Sequence, residues 1–251
     1  MNVDVLAVGA HPDDAELSFG GALARLTAAG ARVVVLDLTA GERGTRGDAE
    51  TRAREAAESA RVLGVTREGL GLPDLGLTTG DPAQTRAVVE ALRRHRPALV
   101  LAPHPEEGHP DHRQASALVE RACFEARLAK ADAAGARHVV DQLLFAWPAA
   151  GASQAAGAGG GGGLGGGFVV DVTETFARKR RALECYGSQF EPSPGPATRL
   201  SAPDFLELVE ARARIAGAAI EARYGEGFTY RGALRLASGL AAWLGVAEAA
   251  R

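Results

Sequence analysis

The stretch Val3-Asp4-Val5-Leu6-Ala7-Val8-Gly9-Ala10-His11-Pro12-Asp13-Asp14 decides the fold. Its first part is an apolar run, broken only by Asp4 and too short for an ordinary helix. It reads as a buried parallel strand from Val3 to Gly9. Its last part sets an imidazole and two carboxylates where that strand ends and a loop begins. The arrangement recurs later in the chain, where the apolar run Ala98 to Ala102 precedes His109-Pro110-Asp111-His112. In open α/β sheets, ligands bind outside the carboxyl ends of the strands.

Working outward, a helix is predicted from about Ala15 to Ala29, with Leu17, Gly20, Gly21, Leu23 and Leu26 on one face and Gly30 as its stop. Arg32 to Leu38 reads as the second strand. Ala49 to Leu63 reads as a helix ended by Gly64, and Leu70 to Leu72 as a short third strand. Asp81-Pro82 opens a helix that runs to about His95, and Ala98 to Ala102 is the fourth strand. A helical pattern follows His112 to about Ala134. Val139 to Trp147 and Phe168 to Val172 read as strands, and Thr173 to Tyr186 and Pro203 to Ala222 as helices. This alternation predicts an α/β fold, a doubly wound and mainly parallel sheet with helices on both faces, in one domain over 1–251. Gly151 to Gly167 is nearly all Gly and Ala, a composition that cannot offset its own ordering entropy, and it is expected to be a flexible loop.

Composition excludes several classes. The 251 residues are 46% hydrophobic and 24% charged, ordinary for a globular protein, and the net charge of −3 advertises neither nucleic acid nor an anionic membrane as partner. Gln142 to Val170 carries no charge, but its Gly and Ala content and Pro148 argue against a membrane helix. Asp4 and the early His-Pro-Asp-Asp interrupt any signal-peptide core, and Cys123 and Cys185 form no metal or disulfide motif, so a reducing cytoplasm is expected. A dinucleotide-binding dehydrogenase is set aside because the first strand–helix turn lacks G-x-G-x-x-G.

Two His and one Asp from two strand-end loops can hold a divalent metal. His11, Asp14 and His112 are the candidate ligands, and their N/O donor set suits zinc best, with Fe(II), Co(II) or Mn(II) as alternatives. Asp13 is then a carboxylate beside the metal that can act as general base. His109 can stabilise an oxyanion or protonate a leaving amine, with Asp111 hydrogen-bonded to it for orientation. Glu42, Arg43 and Arg46 in the Gly-rich loop, Arg52 one turn into the next helix, and Asp74 at the third strand end belong on the same edge. The arginines suit an anionic substrate arm and Asp74 suits sugar hydroxyls. His104 is kept out of the site, and His95 and His138 read as surface residues. A non-catalytic sugar- or metal-binding module is the reading from another class, and Asp13 argues against it, because a binding site needs no base.

These residues resemble the LmbE/PIG-L family of zinc-dependent N-acetylglucosaminyl deacetylases, first through Ala10 to Asp14 and His109 to His112. Gly41 to Gly47, Leu70 to Asp74, Phe168 to Thr173, Tyr186 to Phe190, Glu210 to Arg214 and Tyr224 to Phe228 resemble its bacillithiol branch. The resemblance implies a Rossmann-like fold and hydrolysis of the N-acetyl group of a small-molecule glucosamine conjugate, N-acetylglucosaminyl malate in that branch. It implies His11, Asp14 and His112 on zinc, Asp13 as base, His109 as oxyanion or acid group oriented by Asp111, Arg52 and Asp74 on substrate, and a homo-oligomer. The chain departs from the branch at Gly108, where Arg is usual, and in the Gly/Ala run before Phe168.

Overall fold

A computed structural model describes residues 3–147, 166–192 and 196–234. The strands are β1 (Val5–Gly9), β2 (Val33–Thr39), β3 (Thr66–Leu72), β4 (Leu99–Ala102), β5 (Gln142–Ala146), β6 (Gly167–Asp171) and β7 (Gly225–Thr229). They form one sheet in the order β3-β2-β1-β4-β5-β7-β6. The first five in that order run parallel, and β7 joins antiparallel to both β5 and β6.

Alternate residues of the central strands serve two cores. Val5 and Ala7 of β1 and Val33 and Val35 of β2 pack with Leu23 and Leu26 of helix α1 (Asp14–Ala28). Leu6, Val8, Val34 and Leu36 point the other way, onto α3 (Pro82–His95) and α4 (Pro110–Ala126). Helices therefore cover both faces of the sheet, as the uninterrupted apolar runs require. Each fully buried side chain of this size stabilises by about 1.5–3 kcal/mol.

Local signals hold at most boundaries. Helix α2 (Ala49–Leu63) starts where the Asp48 carboxylate accepts from the Thr51 N–H at 2.7 Å, and it ends at Gly64 with φ 72°. From β1 the chain winds outward through β2 and β3, then crosses back to β4. The loops after β1 and β4 thus flank the crevice at the switch point.

Several boundaries differ from expectation. The helix predicted to about Ala134 is α4 and stops at Ala126. The buried Arg93 guanidinium takes the carbonyls of Ala126, Leu128, Ala133 and Gly135, which breaks the helical ladder. β3 begins at Thr66 rather than Leu70, because its charged residues fit an edge strand and Arg67 is tied to Asp37 of β2. β7 lies at Gly225–Thr229, a stretch to which the sequence reading assigned no element. A Cβ on Gly227 would stand 2.0 Å from the Trp147 ring, so this strand admits no side chain there. The two last helices are shorter than expected: α5 (Phe176–Glu184), followed by the single turn α6 (Gly187–Phe190), and α7 (Phe205–Ala218).

His95 and His138 are half-buried rather than free on the surface. The His95 Nε2 lies 2.7 Å from Glu68, and the His138 Nε2 lies 2.7 Å from the Pro97 carbonyl. The Gly/Ala loop predicted over 151–167 lies outside the described residues apart from its last two, and Gly167 already begins β6. Among the described residues, no helix is long and apolar enough to cross a membrane.

Candidate active site

β1 delivers the first motif into the switch-point crevice. Asp13 is the N-cap of α1 with φ 105°, a left-handed conformation uncommon for a residue with a side chain and costing about 1–3 kcal/mol. This turn aims the two carboxylates apart. The Asp14 Oδ2 accepts from the His11 backbone N–H at 2.8 Å and lies 3.3 Å from His11 Nδ1. Its other oxygen lies 3.2 Å from His112 Nε2. Asp14 thus bridges the two imidazoles that the two loops supply.

The donor set fits a divalent ion. Each imidazole nitrogen stands about one tetrahedral edge from an Asp14 oxygen, His11 from Oδ2 at 3.3 Å and His112 from Oδ1 at 3.2 Å, for metal–ligand bonds of about 2.0–2.1 Å. The His11 Nε2 lies 3.1 Å from Asp74 Oδ1, so a ring that gave its Nδ1 lone pair to an ion would keep its proton on Nε2, toward Asp74. Two groups of donor atoms lie within 4.8 Å of one another: those of His11, His109 and His112, and those of His11, Asp74 and Asp111. Among these donors His109 is the less suited, because its Nδ1 is already engaged as the cap of α4, accepting the Asp111 N–H at 3.2 Å.

Charge in the cluster follows from the same contacts. Burial disfavours imidazolium at His11, but Asp14, Asp74 and Asp13 outweigh it and raise its pKa to about 9. Burial likewise opposes ionisation of Asp14, yet His112 and His11 hold its carboxyl well below the usual range. Asp13 goes the other way: burial raises it to about 7, against the pull of Arg52. Burial, with His112 and His11 close by, keeps the His109 pKa low. A neutral His109 whose Nδ1 accepts a hydrogen bond carries its proton on Nε2.

The remaining predicted residues gather here with tasks the sequence did not disclose. Arg52 is buried. Its Nη2 donates to Asp13 Oδ2 at 3.2 Å and to the Pro12 carbonyl, and its Nη1 donates to Gly41. Gly41 has φ 64°, and a Cβ there would stand 2.1 Å from Nη1. Arg46 donates to the Ser188 and Glu191 carbonyls at 2.9 and 2.7 Å, pinning the Gly-rich loop to α6. Glu42 accepts the Asp74 N–H, and Asp74 Oδ2 accepts the Arg43 N–H. The Asp111 carboxylate does not bond the His109 ring as expected. It accepts the Leu75 N–H at 2.7 Å and lies 3.5 Å from His11 Nε2, so the contact with His109 runs through backbone. His104 accepts the Glu106 N–H and shapes its own loop, outside the cluster.

The cluster lies in a cavity of about 790 Å³, whose wall also includes residues the sequence reading did not assign to the site: Trp147 after β5, Arg199 and Leu200, residues of α7, and Gly225 to Gly227 of β7. Lys179 and Glu226 also line it. Lys179 sits in the charged run Arg178 to Arg181 and Glu226 between two glycines, so neither stands out in the sequence as a site residue.

The family described as "PIG-L: GlcNAc-PI de-N-acetylase" matches residues 6–123, the span that holds every donor above. The 1D-myo-inositol 2-acetamido-2-deoxy-alpha-D-glucopyranoside deacetylase of Rhodococcus opacus is 30% identical over 241 residues, 76% of this chain and 82% of that protein. The diacetylchitobiose deacetylase of Thermococcus kodakarensis is 38% identical over 126 residues, 45% of this chain and 46% of that protein. Against this and two further curated relatives, the chain spans only 46, 47 and 54% of their length. The crystal structure of a conserved protein from Thermus thermophilus superposes with a TM-score of 0.78 at 36% identity, covering 94% of this chain and 96% of that one. The chain belongs to the PIG-L/LmbE family of deacetylases.

Proposed function

We propose that the protein is a divalent-metal-dependent hydrolase that removes the N-acetyl group from an N-acetylglucosamine conjugate. One observation carries the reading: a buried carboxylate, Asp13, is held by Arg52 in a strained turn beside the Asp14 bridge between His11 and His112. A site that only bound sugar or metal would not keep a second carboxylate at that cost.

His11, Asp14 and His112 would hold the ion, and zinc suits their donors best. Bound there, it would supply Lewis acidity toward the amide carbonyl and toward water. Asp13, which lines the cavity beside Asp14, takes the proton of the attacking water, a role its raised pKa allows. Once protonated, Asp13 is the acid that returns that proton to the leaving nitrogen. The Nε2–H of neutral His109 faces the oxyanion that develops on the acetyl carbon. Asp74 holds His11 in its tautomer, and Glu42 and the Arg43 N–H hold Asp74.

The substrate reading within this class is N-acetylglucosaminyl malate. It is supported by the blocks Gly41 to Gly47, Leu70 to Asp74 and Tyr224 to Phe228. Relatives named for inositol-linked and chitobiose substrates favour a second reading, another glucosamine conjugate. Amine release from metal-stripped protein, with and without added zinc, tests the reaction. Rates on the malate conjugate, the inositol conjugate and plain N-acetylglucosamine choose between the substrates. Absence of zinc-restored release on all three would remove the proposal.

A further inference from the structure

Helix α7 turns a regular stripe toward the cavity: Phe205, Val209, Arg212 and Ala216, spaced four, three and four residues apart. Spacing of this kind marks the inward face of a helix, where apolar residues belong. Phe205, Val209 and Ala216 are buried there, and Arg212 is half-buried among them. An arginine on that stripe contradicts the local pattern, and such contradictions concentrate at functional sites.

Its surroundings sharpen the point. Arg199, on the segment leading to α7, lines the same cavity. Among the described residues neither guanidinium makes a hydrogen bond or an ion pair, whereas Arg46 and Arg52 of the same cavity are committed to carbonyls and to Asp13. Two like charges stand together on a partly buried wall. Burial, and the charge of Arg199, depress the Arg212 guanidinium below its usual value, and Glu107, which lines the same cavity, opposes this only in part. The Glu107 carboxylate itself accepts the Gly108 N–H. A cavity of about 790 Å³ is in the range that holds a drug-sized ligand, larger than an N-acetylhexosamine alone needs.

We infer that Arg199 and Arg212 form a recognition site for an anionic group, carboxylate or phosphate, on the part of the substrate remote from the acetamide. The guanidinium fork matches either anion in a bidentate manner. The inference rests on the deacetylation reading for the orientation of the substrate, but the two can fail separately.

The test uses the metal-loaded protein with three N-acetylglucosaminides: one bearing a 3-carboxypropyl group, its methyl ester, and a 3-phosphopropyl analogue. Recognition outside the reacting centre appears in KM and leaves kcat alone. The carboxylate or the phosphate should show a KM about 10- to 100-fold below that of the ester, the loss expected for one or two charge-assisted hydrogen bonds. The better of the two identifies the anion. Arg212→Met and Arg199→Met should each shrink that preference, and Arg212→Lys should restore part of it. Arg43→Met serves as comparison, since Arg43 also lines the cavity. Equal KM for acid, phosphate and ester would overturn the inference, as would loss of the preference in Arg43→Met but not in Arg212→Met. Calorimetric binding of the same compounds separates the two readings. Selective binding of the anions without amine release would keep the arginine site and remove deacetylation, whereas release without any selectivity would do the reverse.

Discussion

Lys179 and Glu226 form a buried ion pair, Nζ to Oε1 at 2.6 Å, that splints a break in α1. Phe19 leaves the helical conformation at φ −144°, which strands backbone groups on both sides. Lys179 donates to the Leu17 carbonyl below the break, and the two Glu226 oxygens accept from the Gly21 and Ala22 N–H groups above it. Gly20 and Gly21 permit the approach: Cβ atoms there would stand 3.0 Å from the Lys179 side chain and 2.9 Å from Val172. The first turn of this broken helix carries Asp14.

Lys179→Met should therefore destabilise the fold by about 3–5 kcal/mol, because it leaves the Glu226 charge buried and unpaired. Lys179→Met combined with Glu226→Gln should cost less than Lys179→Met alone. Urea unfolding of both variants checks this, and equal stability of Lys179→Met and the parent would contradict it.

Asp13→Asn should lower kcat by roughly 10²- to 10⁴-fold, the range for loss of a general base. Zinc stoichiometry should stay at the parent value, because Asp13 faces Arg52 and not the two imidazoles. Metal content after dialysis, measured beside the rate, separates the two effects. Loss of metal together with activity would make Asp13 a ligand.

Gly41→Ala is expected to cut activity far more than its size suggests. The new methyl collides with the Arg52 guanidinium, and φ 64° disfavours any side chain. The displaced guanidinium would release Asp13, so kcat should fall. The control is Gly71→Ala, where φ is 63° but nothing lies within 4 Å. It should keep its kcat, with a backbone cost of about 1 kcal/mol. Similar kcat losses in the two variants would show that the collision with Arg52 is irrelevant.

Zinc should raise the melting temperature of metal-stripped protein, since free ion at about a thousand times its dissociation constant adds about 4 kcal/mol. Asp14→Ala should abolish the rise, because Asp14 touches both imidazoles. A full zinc shift in that variant would place the ion elsewhere, for instance at His11, Asp74 and Asp111.

Much of this was legible in the chain because the signals were local. The β1 run, the Ala49 start and Gly64 end of α2 and the Asp81-Pro82 start of α3 need no distant partner; the two helices fell where expected, and β1 ends at Gly9 as expected but begins at Val5 rather than Val3. The gathering of His11, Asp14, His109 and His112 followed from strand ends alone. What could not be read depends on partners far along the chain. Arg93 ends α4 from 33 residues away. Glu226 caps the break in α1 from 204 residues away. Arg46 and Arg52 look like free cations until Ser188 and Pro12 are in place.

The antiparallel graft of β7 between β5 and β6 divides labour along the chain. Every donor of the reacting cluster lies between residues 11 and 112, on the parallel half. Trp147, Arg199, α7 and the glycines of β7, which line the same cavity, all come after it. On the proposed reaction, substitutions at Trp147, Arg199 and the cavity face of α7 should retune which conjugate enters while leaving the donors in place, whereas Lys179 and Glu226, which brace α1, should not be exchangeable in this way. A chimera carrying another relative's residues 196–218 should exchange substrate preference while keeping its reaction.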